Sequence, residues 1–220
     1  MRDHGEAAGT GSAAAMKIAV FAAHPDDETL GCGGTIARLA KEGHEITVCI
    51  SAIRHLEKEA RQVCEMLGAK TLLFKQFPDQ EFETEYRHIQ LTIEAALKDI
   101  QPDVVYTHHP GDLNLDHQII AKTVLTACRP KPGCSVKDLY QFEVPSSTDW
   151  SFGYTFQPNV FVDISGHFQT KCNAMLIYQG EVHPYPHPRS GFALEAIARR
   201  WGSMAGLGFA EAFQLVRSIR

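Results

Sequence analysis

What this 220-residue chain lacks narrows its function before any motif is read. No apolar run approaches the roughly 20 residues that cross a bilayer. The N-terminus also lacks the basic-then-apolar layout of a secretory signal, so a cytoplasmic protein with no membrane span is expected. No basic stripe is present. The 21 Lys and Arg against 26 Asp and Glu, in mixed order, give a formal net charge of -5 and argue against nucleic acid as a partner. The six cysteines contain no C-x-x-C pair, which excludes a zinc ribbon or a redox dithiol and leaves buried free thiols as their reading. Gly31, Gly33 and Gly34 do not form the G-x-G-x-x-G fingerprint of a dinucleotide site, and close packing of a helix on a strand accounts for them. There are no internal repeats.

What is present begins with a 44% hydrophobic content, enough for one well-filled α/β domain. Residues 1–15, small and polar without periodicity, are expected to be a disordered tail, and 16–220 the folded domain. From Lys17 the pattern alternates: "KIAVFAA" reads as a strand, "GGTIARLAKEG" as a helix, and "EITVCISA" as a strand. "HLEKEARQVCEMLGA" is a helix capped by Gly68, "TLLFKQF" a strand, "YRHIQLTIEAALKDI" a helix and "PDVVYTHH" a fourth strand. Such alternation predicts a Rossmann-like, mostly parallel sheet flanked by helices, with ligands at the carboxyl ends of the strands. Beyond it, "DHQIIAKTVLTAC" predicts a helix, "LYQFEV" and "NVFVDI" strands, and "SGHFQTKCNAMLIY" a helix with Ser165 as N-cap. "QGEVHPYPHPRSG" is a loop, "FALEAIARRWGSMAG" a helix, and "AEAFQLVRSI" a short helix or edge strand.

Two of the predicted strand ends carry unusual chemistry. In "VFAAHPDDETLGCGG" an apolar run stops at His24, followed by Asp26, Asp27 and Glu28. Carboxylates packed there repel one another and lose hydration, so either a solvated, helix-capping turn or a bound cation must offset the cost. The fourth strand ends in "THHPGDLNLDHQ", which offers His108, His109, Asp112, Asp116 and His117. An imidazole and a carboxylate three apart, His24 and Asp27, suit Zn²⁺, which needs three protein ligands and a water when catalytic. His117, in the first turn of the next helix, is the candidate third ligand.

The pair "AHPDDETLGCGG" and "GDLNLDH" resembles the PIG-L, or LmbE-like, family of zinc-dependent N-deacetylases of amino sugars. "KCNAMLIYQGEVHPYPHPRS" and "GLGFAEAFQLVR" extend the likeness to roughly residues 17–220. The resemblance implies an LmbE-like three-layer α/β/α fold, zinc on His24, Asp27 and His117, and Asp26 as general base. An N-acetylated amino sugar or sugar conjugate is the implied small-molecule substrate. One departure stands out: where many members read H-P-D-H in the second motif, this chain has Asn114, Leu115, Asp116, His117. Asn114 donates a hydrogen bond but cannot act as an acid. Either it serves only the oxyanion or substrate, or another imidazole takes the role, with His187 first and His183 and His109 behind it. Asp116 is expected to orient Asn114 or a ligand histidine, and Arg54, Asp112 and Arg189 to contact substrate. Relatives often assemble, so a homo-oligomer is admitted, although no feature of the chain specifies a count. One carboxylate and two imidazoles do not select zinc over iron(II). The alternatives are a zinc hydrolase of a non-sugar N-acyl amine or a phosphoester, a nucleotide-binding Rossmann domain, and a relative that binds without catalysis.

Overall fold

The computed structural model describes residues 14–52, 55–74, 77–153 and 156–220. Most of the expected tail, residues 1–13, and Arg54 lie outside the described residues. The first half alternates as its hydrophobic periodicity requires: β1 (Lys17–Ala22), α1 (Asp27–Lys41), β2 (Glu45–Ile50), α2 (Glu57–Leu67), β3 (Lys70–Leu73), α3 (Phe82–Ile100), β4 (Val104–His108) and α4 (Leu115–Ala127). Then come β5 (Asp138–Phe142), β6 (Val160–Asp163), α5 (Phe168–Met175), α6 (Gly191–Ala205) and β7 (Ala210–Arg217).

Among the described residues the seven strands form one sheet in the order β3-β2-β1-β4-β5-β7-β6. The first five run parallel, and β7 lies antiparallel between β5 and β6. Helices cover both faces, and β1 shows why. Its side chains alternate, sending Ile18, Val20 and Ala22 to the core under α1, α2 and α5, and Ala19, Phe21 and Ala23 to the core under α3 and α4. The chain leaves β1 toward β2 and β3, then returns to β4 on the other side. The carboxyl ends of β1 and β4 therefore flank the crevice where strand order reverses, the place where open α/β sheets bind ligands.

Three local expectations are corrected. The chain from Ala210 is neither a helix nor an edge strand but an interior strand, paired on both sides, and β6 forms the edge. Ser165 does not cap α5, which starts at Phe168 after His167. Its hydroxyl instead donates to Asp163 Oδ1 at 2.7 Å and accepts from Phe209 N–H at 3.1 Å, tying a loop. Helix α1 starts within the acidic motif, at Asp27, rather than at Gly33, and is broken by a non-helical Cys32 (φ -148°, ψ 21°). The break frees N–H groups, which Glu211 of β7 receives from Gly34 (3.0 Å) and Thr35 (2.7 Å). Lys171 of α5 neutralises Glu211 at 2.6 Å.

The glycines of α1 are there for packing. A Cβ on Gly31 would sit 2.3 Å from Phe142 Cδ2, and one on Gly34 would sit 2.9 Å from Ile164 Cβ. Because the Phe142 ring is fully buried and cannot yield, Gly31→Ala is expected to destabilise the fold by about 2–3 kcal/mol, read as a lowered urea midpoint at unchanged slope.

A pH test addresses the half-buried Glu143, which accepts the Trp201 Nε1–H at 2.5 Å. Burial pushes its carboxyl up to about 7, against the pull of that hydrogen bond. A raised carboxyl pKa means that the fold keeps a proton the unfolded chain releases, so this group erodes stability as pH rises from about 4.5 to 7. Discounted for residual exposure, the erosion is about 1–2 kcal/mol. Glu143→Gln removes it. In thermal unfolding across pH, the variant's Tm relative to the parent should climb between pH 4.5 and 7 and then level off.

Candidate metal centre

The end of β1 is tied to the end of β4 by Ala23 N–H, which donates to His108 Nε2 at 2.9 Å. That bond fixes His108 with its proton on Nδ1, and burial lowers its pKa to about 3, so it is a neutral structural ring stacked 4.1 Å from His117. The chain then turns into α1, whose first residue, Asp27, accepts His24 N–H at Oδ2 (2.8 Å) and so folds the motif back on itself.

Three candidate ligand atoms converge from the two segments. His24 Nδ1 lies 3.2 Å from His117 Nε2, and Asp27 Oδ2 lies 3.3 Å from each. Ligand bonds of about 2.0–2.1 Å at tetrahedral angles give ligand–ligand edges of about 3.3–3.4 Å, so this triangle has the size of one face of a zinc site. All three residues are buried, and Asp27 Oδ1 has no hydrogen-bond partner among the described residues, an orphaned oxygen that a cation would satisfy.

Carboxylates orient both rings. His24 Nε2 faces Asp116 Oδ2 at 3.1 Å and Asp79 Oδ1 at 3.0 Å. His117 Nδ1 lies 3.2 Å from Asp112 Oδ2, a contact too bent for a full hydrogen bond. Since carboxylates only accept, these nitrogens carry protons, which leaves His24 Nδ1 and His117 Nε2 as the atoms that face the triangle. The acids around the two rings favour their protonated forms, and a metal ion would replace the protons on those two atoms. Burial disfavours a charged His24, but Asp116, Asp27 and Asp79 overcome it and raise its pKa well above the ordinary value. The same contest, won by Asp27 and Asp112, lifts His117 to about 9. Burial would raise Asp27, yet the charge of His117, together with the contacts of His117 and His24, holds it well below the usual carboxylate range. The centre is built to hold positive charge.

Asp26 stands beside the triangle as the N-cap of α1, 1% exposed and at φ 107°, a backbone strain rare outside glycine. Glu28 holds that conformation. Its Oε2 accepts Asp26 N–H at 3.0 Å, and its Oε1 accepts the hydroxyls of Thr29 (2.7 Å) and Tyr178 (2.9 Å). Asp26 Oδ2 accepts from Arg189 Nη1 at 2.6 Å. The same guanidinium reaches Glu181 Oε2 (2.7 Å) and Ser146 Oγ (2.8 Å). Burial, then the neighbouring Asp27, raise the Asp26 pKa well above the ordinary value, against the pull of Arg189.

The remaining candidates are placed as follows. Arg189 and Asp112, expected to contact substrate, are engaged with protein. Asp112 accepts from Asn114 N–H, Ser147 Oγ–H and Thr148 Oγ1–H, which locks it beneath His117. Asp116 orients His24 rather than Asn114. Asn114 caps α4 by accepting Asp116 N–H at 2.9 Å, leaving its Nδ2 donors. His187 rests against Trp150 and His183, outside the triangle, with its Nδ1 accepting Arg189 N–H at 3.1 Å. His109 accepts Gly111 N–H and packs against Phe156, away from the ligands. Sequence reasoning missed Glu28 as a brace, Asp79 and Glu181. Glu28 was in plain view but read as helix capping, whereas Asp79 and Glu181 lie in loops without any local pattern.

Comparison with known proteins bears on this site. The PIG-L family model, described as GlcNAc-PI de-N-acetylase, matches residues 19–53 and 50–128 and so spans both ligand segments. The diacetylchitobiose deacetylase of Thermococcus kodakarensis is 27% identical over 92% of this chain and 84% of its own length. Among solved structures, the N,N'-diacetylchitobiose deacetylase of Pyrococcus horikoshii superposes with a TM-score of 0.73 at 20% identity, covering 93% of this chain and 85% of that one. GalB, the 4-carboxy-2-hydroxymuconate hydratase of Pseudomonas putida KT2440, gives 0.71 at 20% identity over 93% and 98%.

Asp116→Asn and Asp112→Asn are each expected to weaken zinc binding by about 10–100-fold, measured by competition with a chromophoric chelator. Glu42→Gln, on the exposed end of α1, serves as the unaffected control.

Proposed function

The chain belongs to the PIG-L family, and from that premise we propose that it is a zinc-dependent hydrolase. It removes the acetyl group from an N-acetylated amino sugar or sugar conjugate. The observation that carries this reading is the His24–Asp27–His117 triangle with the buried carboxylate of Asp26 next to Asp27. Zinc held there supplies an activated water and a Lewis acid for the amide oxygen.

The chain's own groups account for the proton transfers. Asp26 Oδ1, which carries no protein hydrogen bond among the described residues, is the acceptor for the water proton, while Arg189 fixes Oδ2 and the orientation of the carboxyl. A raised pKa suits a carboxylate that must take a proton near neutral pH and give it up again. The amine leaves only after protonation, and Asp26 returns the proton it gained. His187, two residues before Arg189, is the first candidate imidazole for helping the leaving group. Asn114 keeps its Nδ2 donors for the oxyanion or a substrate hydroxyl, and so contributes a hydrogen bond in place of an acid.

A hydratase shares the fold, so the assay must read amide cleavage itself: acetate and free amine released from N-acetylglucosamine and N,N'-diacetylchitobiose by zinc-loaded protein. Asp26→Asn should keep its zinc and lose about 10²–10⁴-fold in kcat, since asparagine tolerates positive φ but takes up no proton. Full activity in that variant removes Asp26 as the base, and no release from either sugar removes the sugar deacetylase reading.

A further inference from the structure

The segment that carries Arg189 also builds a feature of which the chemistry above uses only His187. An open cavity of about 570 Å³ is walled by Trp150, His183, Tyr185, His187 and the prolines between them. We propose that this cavity seats an uncharged sugar ring of the substrate, adjacent to the ring being deacetylated, with the Trp150 indole as its platform. The proposal rests on the deacetylase reading and deepens it, making the preferred substrate an oligosaccharide or glycoside rather than a lone amino sugar.

Position comes first. Trp150 follows β5, and His183–Pro188 precede Arg189. The two segments are stitched together by Arg189 Nε donating to Ser146 Oγ at 2.8 Å, while Nη1 of the same guanidinium holds Asp26 at 2.6 Å. The cavity is therefore anchored through one side chain to the proton acceptor, and its His187 is two residues from that anchor.

Chemistry comes second. Trp150 is 44% exposed and Tyr185 66% exposed, unusual for such large rings. Each has an edge-on aromatic neighbour: His187 meets the indole at 5.7 Å and 79°, and Phe192 meets Tyr185 at 5.0 Å and 79°. Aromatic faces with an indole N–H, a phenol and imidazoles at their edges match a pyranose, which has C–H faces and a hydroxyl rim. Charge comes third. Among the described residues the wall has no Lys, Arg, Asp or Glu, and burial, with His183 and Arg189 nearby, holds His187 below the ordinary histidine range. A phosphate or carboxylate would find no firm counter-charge here, whereas a neutral glycan needs none.

The test uses the zinc-loaded full chain as parent, Trp150→Ala and Trp150→Phe, assayed on N-acetylglucosamine and N,N'-diacetylchitobiose. The ratio of kcat/KM for the disaccharide to that for the monosaccharide should fall about tenfold in Trp150→Ala, mostly through KM, and recover in Trp150→Phe. Direct binding is read by fluorescence, because the second tryptophan, Trp201, is only 5% exposed. Cellobiose, a neutral disaccharide without an acetamide, should quench the parent. An unchanged ratio without quenching overturns the proposal. Quenching by micelles of a polyoxyethylene alkyl ether but not by cellobiose also overturns it and makes an acyl chain the occupant, and self-association abolished by Trp150→Ala makes it a second copy. If the parent deacetylates neither sugar, the function proposed above fails, while quenching by cellobiose still decides the cavity.

Discussion

The structure turns on a concentration of buried negative charge. Asp26, Asp27, Glu28, Asp112 and Asp116 are each at most 1% exposed and crowd the ends of two neighbouring strands. Two carboxylates about 4 Å apart repel by about 4 kcal/mol even at an effective dielectric of 20, so such a cluster survives only with fixed compensation. Each acid has its own. Asp27 faces two imidazoles, Asp112 takes two hydroxyls and a backbone N–H, Asp116 takes a ring and two backbone N–H groups, and Asp26 takes a guanidinium. Glu28, with three neutral donors and no cation, is pushed up by burial to about 7. Asp27 Oδ1, on the acid that joins the triangle, has no hydrogen-bond partner among the described residues, and a cation there would supply the missing compensation.

The parallel sheet makes this concentration feasible. Parallel strands deliver their carboxyl ends to one edge, so residues 93 positions apart, His24 and His117, meet at 3.2 Å without a long loop. The strand register then sets the height. Ala23 N–H bonded to His108 Nε2 pins the exit of β1 to the last residue of β4, and both ligand-bearing segments start from that common level. Had either strand slipped by one residue, its side chains would have exchanged faces and the triangle would open.

How much of this was legible follows from how local each feature is. The strands and helices up to α4 could be read because each is set by its own hydrophobic period, and the ligand segments because histidine and acid at a strand end violate that period. The antiparallel insertion of β7 could not be read, since "AEAFQLVR" states that a strand exists but not which neighbours receive it. The start of α5 was misplaced because Ser165 has the chemistry of a cap while a competing acceptor, Asp163, sits two residues away. The protein partners of Arg189 and Asp112 were not legible either, because a charged side chain near a site reads the same in sequence whatever it pairs with.

The chain beyond α4 supplies none of the three triangle atoms, yet the bend of α1 and the placing of Asp26 depend on it. Helix α1 has two tasks that a straight helix cannot combine: its first turn must hold Asp27 and Glu28 at the crevice, and its last turns must lie along the sheet. The break at Cys32 separates the tasks but exposes backbone donors in a dry interior, where each unpaired group costs about 1–3 kcal/mol. Glu211 answers those donors, and Lys171 answers Glu211, with its Nζ also donating to Leu30 O at 2.8 Å on the other side of the break. Tyr178 and Arg189 then fix Glu28 and Asp26 from the same half of the chain. The region matched by the family model carries the ligands, and the region beyond it holds the bent helix and the strained Asp26 in place. Substitutions at Lys171 or Glu211 would therefore act on the site through the bend of α1, and substitutions at Tyr178 or Arg189 through the aim of Asp26.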